Sequence, residues 1–203
     1  MNNKSGNNLA DQQLVEKVLS GDTQAFRTII KNTERLVAQI VFKMIGNAEE
    51  RKDIAQDIYL KAYSKLPGFK FQSKLSTWIA QISYNTCLDH LRKKKLVLPG
   101  SINGENEYPA ETLDTLNKSR DISGGEITTL IRQKELSAIL KTEIEKLSPV
   151  YKTLITLYHN EELSYEEIEQ ITSLPAGTIK SYLFRARKTL KDNLLLNYKK
   201  TDL

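Results

Sequence analysis

The chain has 203 residues, a formal net charge of +5 and an isoelectric point near 9.1, with one cysteine and two histidines. Cys87, His90 and His159 cannot supply a disulfide or the four ligands of a structural zinc site, so neither a metal nor a cofactor is expected. No apolar run approaches the roughly 20 residues of a membrane span, and Met1–Asn8 lacks a signal-peptide core, which leads us to expect a cytoplasmic protein.

Charge is unevenly placed. Residues 1–97 hold 16 basic against 9 acidic side chains, 98–128 hold 2 against 6, and 129–203 hold 12 against 10. From Leu9 to Lys95 the pattern is helical almost throughout. A first helix, Leu9–Leu19, ends at Ser20-Gly21. Asp22 caps a long second helix that turns Phe26, Ile29, Ile30, Leu36, Val37, Ile40, Val41 and Met44 inward, and Gly46 is expected to close it. The third runs from about Ala48 to Leu66, where Pro67-Gly68 breaks it. Its buried side is Ile54, Ala55, Ile58, Tyr59, Ala62 and Leu66. Asp53, Gln56, Asp57 and Leu60 project from the opposite side, and an apolar residue ringed by acid and amide groups fits a docking surface for a basic and apolar partner.

Next comes a basic loop with interleaved aromatics, Phe69-Lys70-Phe71-Gln72-Ser73-Lys74, which feeds a fourth helix ending in Arg92-Lys93-Lys94-Lys95. Trp78, Gln81, Asn85 and Arg92 share one side of it. Rings there suit stacking on unpaired bases, lysines and arginines suit the backbone, and Ser73, Thr77, Gln81 and Asn85 suit exposed base edges. Phe69 reads as core. Residues 98–128 have linker composition, rich in Gly, Pro, Asn and Ser with no apolar period. Helices resume near Ile127, with one running through Leu136, Ile139, Leu140, Ile144 and Leu147, and Ser148-Pro149 opening the next.

The last segment is the most specific. Ser164 followed by Glu167 is a capping box for a short helix with Tyr165, Ile168 and Ile171 inward, and Ser173-Leu174-Pro175 stops it. A helix from about Pro175 to Leu195 then places Ile179, Leu183, Ala186 and Leu190 on one stripe. Lys180, Ser181, Phe184, Arg187 and Lys188 lie opposite, with Arg185 at the edge. A short helix, a tight turn and a basic helix form a helix-turn-helix, whose second helix enters the major groove. The fold class is therefore all-α: two small helical domains, 9–97 and 129–197, joined by a flexible acidic linker, the second domain a helix-turn-helix.

Three stretches, Asp53 to Tyr63, Ser73 to Asn85, and Leu163 to Leu190 with Gly177-Thr178-Ile179-Lys180-Ser181 and Arg185-Ala186-Arg187-Lys188, resemble in order and spacing the bacterial alternative sigma factors of the extracytoplasmic-function type. The resemblance implies binding to core RNA polymerase, through its beta-prime clamp and beta subunits, and delivery of it to promoter DNA. Asp53, Gln56, Asp57 and Leu60 would then meet the clamp. Lys70, Phe71, Ser73, Lys74, Thr77, Trp78, Gln81, Asn85 and Arg92 would hold the −10 element as single strand. Thr178, Lys180, Ser181, Phe184, Arg185, Arg187 and Lys188 would face the −35 duplex. An anti-sigma partner is implied and no stable homo-oligomer. The acidic linker would thread the polymerase cleft as a phosphate mimic. Two residues depart from the family pattern: Phe71 stands where relatives carry a small glycine, and Tyr182 where many carry a basic residue. A dimeric repressor would need a ligand or dimerisation domain, and a nucleic-acid-processing enzyme would need clustered carboxylates for metal or a nucleophile with a base, companions that Asp53 and Asp57 lack; the sequence offers neither.

Overall fold

The structure, a computed structural model, describes residues 3–97 and 126–197. These form eight α-helices and, among the described residues, no strand: α1 Asn3–Leu19, α2 Thr23–Met44, α3 Ala48–Lys65, α4 Leu75–Val97, α5 Glu126–Glu145, α6 Pro149–Ile155, α7 Tyr165–Thr172 and α8 Ala176–Asn197. The expected linker, 98–128, lies almost entirely outside the described residues, as does its reading as a phosphate mimic.

Local chemistry accounts for the boundaries. Asp22 accepts from the Gln24 and Ala25 amides at the start of α2, Asn47 from Glu49 at α3, and Ser148 from Tyr151 at α6. The third helix gives way to a 3₁₀ turn over Leu66–Gly68, since Pro67 has no amide to continue the ladder. Gly46 does not close α2. That helix ends at Met44, Ile45 turns extended (φ −104°) with its side chain buried, and Arg51 caps from outside, donating to the carbonyls of Ile45 (2.8 Å) and Gly46 (3.2 Å). The start of α4 is set at long range: the Leu75 amide donates to Asp11 of α1 at 2.9 Å.

The inward stripes of α2, α3 and α4 make the N-terminal core, with Ile29, Ile40, Ile58 and Ile79 essentially inaccessible. Cys87 is a buried filler whose thiol burial pushes up to about 12. In the C-terminal module Leu154, Leu157, Ile168, Ile171, Ile179 and Leu183 fill the centre, whereas Leu136 and Leu140 on α5 stay exposed.

The modules do not sit apart. Helix α7 packs on α4 and α6 on α2, and the buried residues of both modules form one cluster. Three ion pairs cross the boundary, each with its cation on the N-terminal side: Lys74–Glu167 (2.8 Å), Arg35–Glu161 (3.2 Å) and Lys43–Glu145. Burial pushes the Glu167 carboxyl up, but Lys74 and Ser164 together outweigh it and hold it below the ordinary glutamate value.

Candidate nucleic-acid interface

The capping box is complete, with the Glu167 amide donating to Ser164 Oγ (3.2 Å) and the Ser164 amide to the Glu167 carboxylate (3.0 Å). Ser173 takes a left-handed turn (φ 58°) and the Pro175 carbonyl accepts from Ile179 as α8 begins. Ile179, Leu183, Ala186 and Leu190 are buried as the spacing predicts, and Phe184 stands 41% exposed between exposed or half-buried Ser181, Arg185 and Lys188. Thr178 is half-buried in the first turn.

Lys180 and Arg187 differ from expectation. They occupy not the outermost face but the flank against α7 and the π turn over Thr156–Asn160. The Lys180 ammonium lies 5.4 Å from the Tyr165 ring centroid, and the Arg187 guanidinium 5.5 Å from that of Tyr158. On the other flank Tyr182 packs edge-on against Tyr151 of α6 at 5.5 Å, so the departing tyrosine is a packing residue.

The second site is a cavity of about 370 Å³ between the 3₁₀ turn, the basic loop and α4. Lys70, Ser73, Thr77, Trp78 and Gln81 of the predicted strand-binding set line it. Thr77 does so from a nearly buried position, and Trp78 is half-buried with its ring 4.9 Å from that of Phe69, so the tryptophan is both core and wall. Asn85 and Arg92 are exposed farther along α4, and Arg92 is 3.7 Å from Asp89. Phe71 and Lys74 are not on the wall. Phe71 holds φ at 56°, a left-handed value that favours glycine, with its ring 4.7 Å from Phe69. Lys74 is turned to Glu167. Phe69 also lines the cavity, and Gly68, Gln72 and, from α7, Gln170 complete the lining; these four were not foreseen there. Gln170 had no signal in the sequence, because only the packing of the modules brings it there.

On α3, Asp53, Gln56 and Asp57 are exposed and Leu60 is 69% exposed, which is the predicted projecting face. Beside it Tyr63, also exposed, meets Phe26 edge-on at 5.0 Å. Asp57 pairs with Lys61 at 2.7 Å. Asp53 and Asp57 border a cleft of about 250 Å³ with Glu50 and His90, but Lys94 and then His90 bind the Glu50 carboxylate and hold it below its ordinary value. Among the described residues no group of three or more side chains is placed to hold a metal ion, and no helix is long and apolar enough to cross a membrane.

Comparison with known proteins assigns both modules to known families. Residues 29–97 fit the family model for Sigma-70 region 2, and residues 137–190 that for Sigma-70 region 4. The chain is 33% identical to the RNA polymerase sigma-H factor of Pseudomonas aeruginosa over 181 residues, 89% of this chain and 91% of that protein. It is 32% identical to the ECF RNA polymerase sigma factor SigW of Bacillus subtilis (89% and 94% covered) and 32% to the ECF sigma-E factor of Escherichia coli K12 (92% and 95%).

The chain belongs to the extracytoplasmic-function sigma factors. As a sigma factor it binds core RNA polymerase and directs promoter-specific initiation. Solved structures share the sigma-factor fold: CnrH in complex with the cytosolic domain of CnrY (TM-score 0.60, 17% identity, 93% of this chain and 99% of that one). The sigma factor RpoE of Bartonella quintana, in complex with the anti-sigma factor NepR, follows at 0.59 (20% identity, 87% and 100%). The region 2 match begins inside α2 and ends with α4, so it contains the exposed α3 face and every cavity-lining residue except Gln170, which falls with the helix-turn-helix in the region 4 match.

Proposed function

We propose that this sigma factor divides its work among three surfaces. The exposed α3 face of Asp53, Gln56, Asp57 and Leu60 fastens the chain to the beta-prime clamp of core polymerase. The cavity between the basic loop and α4 takes an unstacked base of the −10 strand, with Trp78 as stacking wall, Gln81 and Thr77 at the base edge, and Lys70 and Arg92 along the backbone. Unstacking costs a few kcal/mol, which ring and hydrogen-bond contacts must offset. Helix α8 enters the −35 major groove with Ser181, Phe184 and Arg185 foremost. The observation that carries this reading is Phe184: a large ring held outward in a basic face, on a helix whose apolar stripe is already fully buried.

Recognition of both elements at once requires the modules to separate. The elements are centred about 25 base pairs apart, roughly 85 Å of duplex at 3.4 Å per pair, whereas Lys74 and Glu167 touch in the packed chain. Opening also releases Lys74 for the −10 strand and withdraws Gln170 from the cavity. The chain acts in the cytoplasm, without a catalytic step of its own, and an anti-sigma protein is its expected restraint. Of the two structural neighbours, RpoE was solved with the anti-sigma factor NepR and CnrH with the cytosolic domain of CnrY.

Run-off transcription with purified core polymerase and a library of genomic fragments tests the proposal. A set of starts sharing two spaced elements, and absent with core enzyme alone, is expected. Failure of the chain to alter start-site choice refutes it.

A further inference from the structure

Five side chains on the flank of α8 form a continuous arrangement that base reading does not use. The π turn over Thr156–Asn160 presents Tyr158 and His159 to this flank, and such turns recur at functional sites. Tyr158 packs 5.1 Å from Tyr165, so two rings lie side by side beneath Arg187 and Lys180, which sit two helical turns apart. Arg187 has a second restraint: its Nη2 lies 3.1 Å and its Nε 3.4 Å from His159 Nε2. Arginine can only donate, so His159 Nε2 accepts and the imidazole is neutral, with its proton on Nδ1. Burial first, and the Arg187 charge second, push His159 below its ordinary value and keep it in that form at neutral pH.

This geometry fixes an edge of the guanidinium. His159 occupies the Nε–Nη2 side, which leaves the Nη1–Nη2 end of the fork directed away from the imidazole. That end carries two parallel donors, the arrangement that fits a phosphate bidentately. A helix seated in the major groove has its outermost residues on base edges and its flanks beside the sugar–phosphate walls. We infer that His159, seated beside Tyr158, is a positioning residue that aims the Arg187 guanidinium at a backbone phosphate flanking the −35 element. The inference rests on α8 being the −35 recognition helix. It separates Arg187 from Phe184 and Arg185: the first fixes register, the other two read sequence.

The test measures affinity of the full chain, assembled with core polymerase, for promoter duplex across a salt series. Arg187→Ala should weaken binding roughly tenfold, the scale of one charge-assisted contact, equally for matched and mismatched −35 sequences, and lower the salt slope by about one. His159→Ala should cost about threefold to fivefold in the wild-type background, part of that same contact, and nothing once Arg187 is already alanine. His159→Gln, whose amide oxygen also accepts, should restore most of the loss. Equal losses from His159→Ala with and without Arg187, or no rescue by glutamine, would overturn the positioning role and make His159 a packing residue only. If Arg187→Ala costs nothing while Phe184→Ala still abolishes −35 dependence, the phosphate contact is wrong and the recognition-helix reading survives. If Phe184→Ala is also silent, that reading itself fails.

Discussion

Phe71 keeps a left-handed backbone angle at which a Cβ is strained by about 1–2 kcal/mol. What compensates is visible: its ring lies 4.7 Å from Phe69, which in turn meets Trp78, so the three rings clamp the loop over the cavity. Aromatic pairs contribute roughly 0.5–1.5 kcal/mol beyond area. Phe71→Gly therefore removes a strain and a contact of similar size, and calorimetry should find the melting temperature within a few degrees of wild type. Hydrogen exchange across 69–74 should rise in the same variant, because the glycine retains the turn but not the clamp. Asp57 illustrates the opposite case. Its pair with Lys61 is half-exposed on both sides, and such pairs contribute about 0–1 kcal/mol. Asp57→Lys should leave the circular-dichroism melt nearly unchanged while abolishing retention on immobilised core polymerase. Normal retention would remove α3 as the docking face.

At the scale of elements, α7 is too short to hold itself together. With eight residues it depends on its capping box and on the burial of Ile168 and Ile171. Ser164→Ala removes an acceptor from the Glu167 amide and should cost about 0.5–2 kcal/mol. Because α7 sets the angle of α8, that variant should lose −35-dependent transcription before it loses polymerase binding, a difference that run-off assays on promoters with and without a −35 element would resolve. The start of α4 depends similarly on Asp11, sixty-four residues away, which ties the basic loop to α1.

For the whole molecule the deciding feature is the seam between modules. Glu167 serves twice, as the N3 residue of the capping box and as partner of Lys74. Its lowered value sets the sign of the pH response. The stabilisation is complete above the unfolded glutamate value of about 4.3 and is lost as pH falls through the lower folded value. Glu145 behaves alike: burial raises it, but Lys43 and Lys152 together hold it below its ordinary value. The seam should thus be insensitive to pH from 7 to 5 and loosen below about 4, seen as a growing radius of gyration in solution scattering. Arg35→Glu should loosen it at neutral pH, and Arg35→Glu with Glu161→Arg, which leaves the α7 cap intact, should restore compactness. An unchanged radius in the single variant would assign the seam to apolar packing alone.

Much of this was legible in the chain because it is local. Helix stripes, the Asp22 and Ser164 caps, the Pro67 and Pro175 breaks and the outward Phe184 each follow from residues within a turn or two of one another, and the family resemblance follows from the same local spacings. The cap from Asp11, Gln170 in the cavity wall, Lys180 and Arg187 on an aromatic flank, and the closed seam were not. Each joins groups far apart in sequence, and periodicity carries no record of which surface meets which. The sequence alone determined that there are two basic helical modules and which sides of their helices face outward, because burial repeats with the helix. Only the tertiary structure decided that the modules pack together, with one apolar cluster running through both and carboxylates of one facing cations of the other, since that depends on where the chain returns in space.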